Sequence, residues 1–207
     1  IGDQNDSLMF LVFISLFCLF ETIGKLQYFD HLHPRKNTFL FIGSIGIITT
    51  LLVVSYKDYW QKLVGKGIDL SETFLIPEIL AIAVFCLPAC YFTYRQIVKK
   101  SFQSLSPTQP AFVIAIIIFL IGLQSSMAVV LINAYIFIIG LMIIIKGMKT
   151  DHLGKLNYGL VIITLLVIFR VFDTNLSFAI RGLLFLIVGV GFFITNYQLL
   201  KKRKAHE

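Results

Sequence analysis

The chain has 207 residues, of which 57% are hydrophobic and only 14% charged, and it carries a formal net charge of +7. Soluble globular domains contain about 25% charged residues, whereas apolar runs close to membrane-spanning length recur along this whole chain. The composition therefore excludes an ordinary soluble domain. It predicts an all-α fold, a polytopic transmembrane helix bundle that forms a single domain over residues 1–207.

The first residues do not have the sequence pattern of a secretory signal peptide. The segment Ile1–Ser7 is polar and lacks the positive charge that opens a signal peptide. Because the chain starts at isoleucine, either processing has removed something or the sequence is a piece of a longer protein. We favour the second and expect a C-terminal part of a longer chain.

Seven apolar segments predict membrane-spanning helices, since a span needs roughly 17 to 25 residues. They are Leu8–Gly24, Thr38–Tyr56, Thr73–Tyr94, Gln109–Gln124, Met127–Ile145, Leu156–Phe172 and Phe178–Leu200. The fourth and fifth could be one helix, because the sequence from Pro110 to Lys146 is almost uninterrupted apolar. Such a helix would be about 55 Å long, far more than a bilayer of about 30 Å. We therefore predict a tight turn at Gln124–Ser126.

The distribution of basic residues supports seven spans and sets their orientation. Short cytoplasmic loops carry an excess of Lys and Arg. With seven spans, most of the 18 basic residues fall on one side: Lys25, Arg35, Lys36, Arg95, Lys99, Lys100, Lys146, Lys149, Lys155, Lys201, Lys202, Arg203 and Lys204. The other side has only Lys57, Lys62 and Lys66, besides Arg170 and Arg181. The prediction is an outside N-terminus and a cytoplasmic C-terminus.

The longest predicted outer loop is Lys57–Glu72, between the second and third spans. Tyr59 and Trp60 stand where interfacial aromatic belts occur, and we expect this loop to lie on the outer surface. The terminal KKRK is typical of an anchor in the head-group layer, and no nucleic-acid-binding motif accompanies it.

Ionisable side chains inside a membrane are candidate functional residues, because burial costs several kcal/mol unless they are paired or hydrated. Glu21 could face the interior of the bundle, or it could pair at the interface with Lys25, its i+4 neighbour. Glu78 follows Pro77 in the first turn of its helix, where the helix dipole favours a carboxylate.

The stretch VIFRVFDTNLSFAIRGLLF, residues 167–185, holds the densest group of charges between apolar runs. Arg170 and Asp173 are three residues apart and can pair on one helical face. Asp173 can also cap the last helix, and Arg181 lies one turn into it. Together with Glu78 these residues could form an outer-leaflet cluster, which either fixes the hairpin between the last two spans or binds a ligand or ion.

The remaining candidate groups favour structural roles. Cys18, Cys86 and Cys90 lie within apolar runs, where free cysteine usually packs as a small hydrophobe. His31 and His33 are two residues apart, which suits neither face of a helix, so a solvated loop explains them. Gly43 and Gly46, and Gly182, Gly189 and Gly191, predict close helix packing. The sequence indicates no catalytic motif, no cofactor and no metal site.

The C-terminal third resembles a known family. The motifs are the Asn133 span, GKLNYG at 154–159, RVFD at 170–173 and RGLLF at 181–185. Over about residues 130–203 the sequence is similar to the end of a family of uncharacterised bacterial multi-pass membrane proteins with a domain of unknown function. The resemblance implies a bacterial inner membrane and a longer chain with further spans upstream. It implies no activity.

We therefore expect a non-enzymatic membrane protein, a scaffold or subunit of an envelope complex. The lipid bilayer and other membrane or envelope proteins are its expected partners, and nucleic acid is not. The alternative is a transporter or small-ligand binder that uses the outer charged cluster. A seven-helix receptor agrees only in the number of spans, which is weak support. An intramembrane hydrolase is disfavoured, because the spans lack a Ser/His or paired-Asp arrangement.

Overall fold

The computed structural model describes residues 2–29, 37–64, 77–100, 105–173 and 177–204, and every regular element in these ranges is helical. We number the α-helices of the described ranges in chain order. They are α1 (Gly2–Gly24), α2 (Thr38–Val54), α3 (Lys57–Leu63), α4 (Pro77–Lys100), α5 (Ala111–Gly122), α6 (Met127–Lys149), α7 (Leu153–Asp173) and α8 (Phe178–Lys204). A short 3₁₀ turn, Gln27–Phe29, follows α1.

Within the described ranges, four helices are long and apolar enough to cross a membrane. These spans are Pro77–Val98, Met127–Lys149, Leu153–Asp173 and Phe178–Gln198. Three further apolar helices are shorter, Leu8–Gly24, Thr38–Val54 and Ala111–Gly122. Each predicted segment thus coincides with an apolar helix over its described residues. That all seven cross the membrane stays a prediction.

The predicted break between the fourth and fifth segments is confirmed as a break between two helices. Helix α5 ends at Gly122 and α6 begins at Met127. The Ser125 backbone N–H donates to the Ile121 carbonyl oxygen at 2.9 Å, which closes the end of α5. The Ser125 hydroxyl oxygen accepts from the Met127 backbone N–H at 3.2 Å and so caps the start of α6.

The expectation of a loop lying on the outer surface is wrong for its first part. Lys57–Leu63 is a helix, α3, and Trp60 within it is 0% exposed. Its indole N–H donates to the Val54 carbonyl oxygen at 2.7 Å, which satisfies the ring's only polar group. Residues 65–72 of that loop lie outside the described residues, as do His31 and His33.

The chain divides into two compact units, residues 1–132 and 133–207. In the first unit α1 lies at the centre and packs against α2, α4 and α5. The end of α1 meets the start of α2, because the Asn37 side-chain amide donates to the Gly24 carbonyl oxygen at 2.6 Å. Phe10, near the other end of α1, contacts Trp60 and Phe119. Helices α2 and α5 therefore run antiparallel to α1.

In the second unit α6 and α7 pack backbone to backbone. A methyl group added at Gly159 would lie 2.8 Å from the Gly140 carbonyl oxygen, and one added at Gly147 would lie 2.6 Å from the Leu156 backbone nitrogen. Gly147, near the end of α6, thus meets Leu156 near the start of α7, and the earlier Gly140 meets the later Gly159, so the two helices are antiparallel. Small residues allow such close approach between membrane helices. Helix α7 in turn contacts α8.

The turn between α6 and α7 is closed by a Schellman motif. Asp151 has a positive φ of 51°, and the His152 backbone N–H donates to the Gly147 carbonyl oxygen at 3.0 Å. The His152 ring nitrogen Nδ1 then accepts from the Lys155 backbone N–H at 3.3 Å, at the start of α7. Local hydrogen bonds alone thus reverse the chain within a few residues.

Candidate functional site

The predicted pairing of Arg170 with Asp173 is present at the end of α7. Arg170 Nη1 lies 2.8 Å from Asp173 Oδ2, and the two side chains are 22% and 6% exposed. The i,i+3 spacing puts both groups on one helical face. The two opposite charges therefore compensate each other at the end of the helix, which lowers the free-energy cost of burying them partly.

The four-residue outer cluster stays a prediction. Arg170, Asp173 and Arg181 belong to the second unit, and Glu78 belongs to the first. Arg181 is in the first turn of α8, where its backbone N–H donates to the Ser177 carbonyl oxygen at 3.1 Å. Glu78 is in the first turn of α4, as expected from Pro77, and its Oε2 is buried without a hydrogen-bond partner among the described residues.

A second group of polar residues lies where α1 ends, and we call it the polar cluster. Its members are Glu21, Lys25, Gln96, Ser106, Thr108 and Gln109. Glu21 is only 1% exposed, and its side chain points into the first unit toward the segment before α5. Both alternatives for this residue hold at once, because it is buried and also lies 3.5 Å from Lys25 Nζ through Oε1.

Two hydroxyl groups complete the surroundings of that carboxyl oxygen. The Thr108 hydroxyl donates to Glu21 Oε1 at 2.7 Å, and the Ser106 hydroxyl donates to the same oxygen. The other carboxyl oxygen, Oε2, is buried and has no hydrogen-bond partner among the described residues. All identified donors therefore converge on one oxygen of the carboxyl group.

Gln109 connects this carboxyl group to α4. Its side-chain oxygen accepts from Lys25 Nζ at 2.9 Å and from the Ser106 backbone N–H at 2.8 Å. Its side-chain amide donates to the Gln96 side-chain oxygen at 2.8 Å. The polar cluster thus joins α1, α4 and the turn before α5 in one hydrogen-bonded network.

Helix α2 fixes the position of Glu21 from the opposite side. A methyl group added at Gly43 would lie 2.8 Å from both the Glu21 Cα atom and the Phe17 carbonyl oxygen. Only glycine allows this approach, so the backbone of α2 holds α1 in place and leaves the Glu21 side chain on the other face. Asn37 adds a second constraint, since its side chain bonds both Gly24 and the Leu40 backbone N–H.

The three cysteines differ in environment. Cys18, one turn before Glu21, is 2% exposed and lies close to the Phe112 backbone at the start of α5. It also lies within electrostatic range of Glu21, Cys86 and Cys90. The sulfur atoms of Cys86 and Cys90 are 3.6 Å apart, and Cys90 is exposed. Within the described ranges no group of three or more His, Cys, Asp or Glu side chains could hold a metal ion.

The opposite end of the first unit is aromatic rather than polar. Phe10 packs edge-on against Tyr59, with ring centroids 5.7 Å apart, and Trp60 fills the space left by the missing side chain of Gly122. Burial raises the pKa of the Tyr59 phenol above its usual range, because ionisation would place a charge among apolar rings. This end of the unit is therefore filled by aromatic side chains in contact with one another.

Sequence reasoning found Glu21 and Lys25 but missed their partners. Ser106, Thr108 and Gln109 come from the short polar run SLSPTQP between two apolar helices, which reads as an ordinary connection. One signal was available. This run leads into the predicted fourth span, and it lies on the same predicted side of the membrane as Lys25. What the polar cluster can do chemically is hold a charge, a proton or a hydrogen-bond donor at a buried carboxyl group.

No family model, no curated protein and no solved structure matches this chain. Function has to be inferred from the residues and their geometry.

Proposed function

We propose that this chain is a seven-span integral membrane protein of a bacterial inner membrane, with its N-terminus outside and its C-terminus in the cytoplasm. The four long apolar helices support membrane insertion. The antiparallel packing of α2 and α5 on α1 supports spans for the three shorter apolar helices as well. Hydrogen bonds place the Glu21 end of α1, the Asn37 end of α2 and the Gln96 end of α4 close together. The distribution of basic residues assigns these ends to the cytoplasm.

Cysteine labelling tests this topology. Single cysteines replace Arg95, Ser126 and Lys149 in a chain whose native cysteines are changed to alanine. In intact cells an impermeant maleimide should label the cysteine at 126 and spare those at 95 and 149 until the membrane is opened. Equal protection of positions 126 and 95 would contradict the seven-span arrangement.

For its role, we propose a non-enzymatic scaffold or subunit of a membrane complex. The observation that carries this proposal is the surface of α8. No residue in the most apolar window of Phe178–Gln198 is buried, and added methyl groups at Gly182, Gly189 and Gly191 would meet nothing within 4 Å. The expectation that these glycines pack closely within the chain is thus not met among the described residues. A helix with this surface can contact lipid or the helices of other proteins.

Site-specific photocrosslinking tests the scaffold role. A photoreactive residue in place of Val190, which is 48% exposed, should give a discrete protein adduct in native membranes, identified by mass spectrometry. The matched control is Leu156, which is 0% exposed and should give no intermolecular adduct. If position 190 yields only lipid adducts, the scaffold role loses its support.

Family membership is part of the same proposal. The motifs RVFD and RGLLF, at the end of α7 and the start of α8, support a relationship to the uncharacterised bacterial membrane family and hence a longer natural chain. Sequencing the genomic reading frame upstream of Ile1 tests it. Further apolar spans joined in frame would support the relationship, and an immediate start codon would contradict it.

A small-ligand binder or transporter is the second candidate. It is favoured by the partly buried Arg170–Asp173 pair and by the buried Glu78 carboxyl oxygen, which are potential ligand contacts at the predicted outer side. Substitutions Arg170→Ala and Asp173→Ala that leave stability unchanged but abolish a solute-dependent thermal shift would favour this function. If the same substitutions lower stability but leave a solute-dependent thermal shift unchanged, they would favour a role of the pair in fixing the hairpin between α7 and α8.

A further inference from the structure

Cys86 and Cys90 lie on one face of α4 and bring two sulfur atoms together. These atoms are 3.6 Å apart, with Cys86 half-buried and Cys90 exposed at the surface of the helix. Residues four apart in a helix are neighbours on the same face. Helix α4 includes Pro88, which stands between the two cysteines, and continues to Lys100. The helical backbone therefore holds the two thiols as a pair before any ligand binds.

The distance between the two sulfur atoms limits which central atom they can bind together. With bonds of about 2.3 Å, as in zinc thiolates, a separation of 3.6 Å corresponds to an angle of about 100° at the central atom. A linear arrangement with the same bonds would place the sulfur atoms about 4.6 Å apart. The pair therefore suits a pyramidal or tetrahedral centre better than a linear one.

The number of ligands and the apolar surroundings narrow the choice further. Structural zinc takes four protein ligands, and within the described ranges no group of three or more His, Cys, Asp or Glu side chains could hold a metal ion. Monovalent copper between two thiolates would leave a negative charge in a candidate membrane span, where charge is costly. Trivalent arsenic that keeps one substituent of its own needs only two thiolates. It is pyramidal because of its lone pair, and the product is neutral.

We propose that Cys86 and Cys90 form a chelating dithiol site for a monosubstituted trivalent arsenical. When phenylarsine oxide binds, two As–S bonds form, while two S–H bonds and the bond between arsenic and oxygen break. The oxygen leaves as water with both thiol protons, and the phenyl group stays on arsenic. Arsenic remains trivalent, so the step needs no oxidant or reductant. Binding orders only two short side chains on a helix that is already formed, which keeps its entropic cost low.

The third cysteine provides a control within the same unit. Cys18 belongs to α1, is 2% exposed and lies within electrostatic range of both members of the pair. It has a thiol like theirs but does not share their helical face. The dithiol site also does not depend on the proposed scaffold role, which rests on α8.

Titration of the intact chain with phenylarsine oxide tests the proposal. The chain is reduced in detergent and freed of reductant, and bound arsenical is read by intact-mass spectrometry. Wild type and Cys18→Ala should each bind one molecule per chain and gain the mass of the reagent less one water. Cys86→Ser and Cys90→Ser should each bind roughly a hundredfold or more weakly, because a single thiol lacks the gain from a second, intramolecular bond.

A matched variant keeps the number of thiols and moves only one of them. Cys90→Ser combined with Val84→Cys places the second thiol two residues from Cys86, on a different face of the helix, and position 84 is 55% exposed. This variant should bind as weakly as Cys90→Ser alone. Folding of each variant is checked by the emission of Trp60, the chain's single tryptophan.

Reversal by thiols in solution provides a second readout. A small dithiol should remove the arsenical from wild type, whereas a monothiol at the same concentration of sulfur should leave it bound, because only the dithiol can also form two bonds to arsenic. Wild type that binds no more tightly than Cys90→Ser, or no more tightly than the matched variant, would overturn the proposal. Release of the arsenical from wild type by the monothiol would do so as well.

Discussion

Substitution of Gly43 by alanine should destabilise the first unit by about 2 kcal/mol. The new methyl group would lie 2.8 Å from both the Glu21 Cα atom and the Phe17 carbonyl oxygen, where ordinary contacts begin at 3.4 Å. Because these are backbone atoms of α1, and the Glu21 backbone nitrogen would lie closer still, no rotamer change relieves the clash, and the two helices must separate by more than about 0.6 Å. Overpacking of this kind costs about 1–3 kcal/mol, and the better helix propensity of alanine returns at most about 1 kcal/mol.

Trp60 provides the assay, because it is buried in the same unit and is the only tryptophan in the chain. Reversible unfolding in mixed micelles, followed by its emission as the fraction of denaturing detergent rises, gives the free energy of unfolding. A loss of about 2 kcal/mol corresponds to roughly a 30-fold lower folding equilibrium constant. Ile45→Ala is the matched control, two residues further along α2 at a 38% exposed position, and should change stability little.

A free energy of unfolding of Gly43→Ala within about 0.5 kcal/mol of the control would contradict this prediction, since the close approach of α1 and α2 leaves no room for a methyl group. Gly189→Ala offers a further comparison in α8, where nothing lies within 4 Å of the added methyl group. There the same substitution should be neutral or stabilising by up to about 1 kcal/mol, as judged by thermal stability of the purified chain.

Three further predictions concern the ion pair, the Schellman turn and the buried phenol. Arg170→Ala or Asp173→Ala should lower the free energy of unfolding by about 1–3 kcal/mol, because each leaves one charge of the pair without its partner. Exchanging the two residues should restore part of this loss. If the losses of the two single variants simply add in the double alanine variant, the two side chains are not paired. Asp151→Gly should match or exceed wild-type thermal stability, whereas Asp151→Val should fall below it, because φ is positive there. The raised pKa of Tyr59 means that the folded state holds its proton more tightly, so stability present below about pH 10 should decline as the pH rises above it. Tyr59→Phe should flatten that decline in unfolding measured from pH 9 to 11.5, and an equally steep decline would exclude Tyr59 as its source.

Features that depend on near neighbours could be predicted from the sequence. The break at Gln124–Ser126 follows from span length and three polar residues, and it lies between α5 and α6 as expected. The Glu21–Lys25 and Arg170–Asp173 pairs follow from helical spacing alone. Helix ends were less certain: α4 continues to Lys100 and α8 to Lys204, beyond the apolar segments, because a helix does not need to stop where hydrophobicity stops.

Features that depend on distant parts of the chain could not be predicted. Tryptophan is a typical residue of membrane interfaces, so the sequence predicts an interfacial position for Trp60. Trp60 is instead buried, because Phe10 and Phe119 pack around it and Gly122 leaves space beside it. Gly43 and Gly182 look equivalent in the sequence, but one is pressed against α1 and the other faces open space. Hydropathy records how apolar a segment is and not which neighbour covers it.

The sequence by itself determined that the chain consists of apolar helices, where they break and which charges pair within one helix, because these properties follow from composition and a 3.6-residue period. Only the tertiary structure decided that Ser106 and Thr108, 85 and 87 residues away along the chain, donate to Glu21. It also decided that they donate to the same oxygen and leave the other one buried. Such a site forms only when α1 and the turn before α5 pack together, and no short sequence pattern predicts this long-range contact.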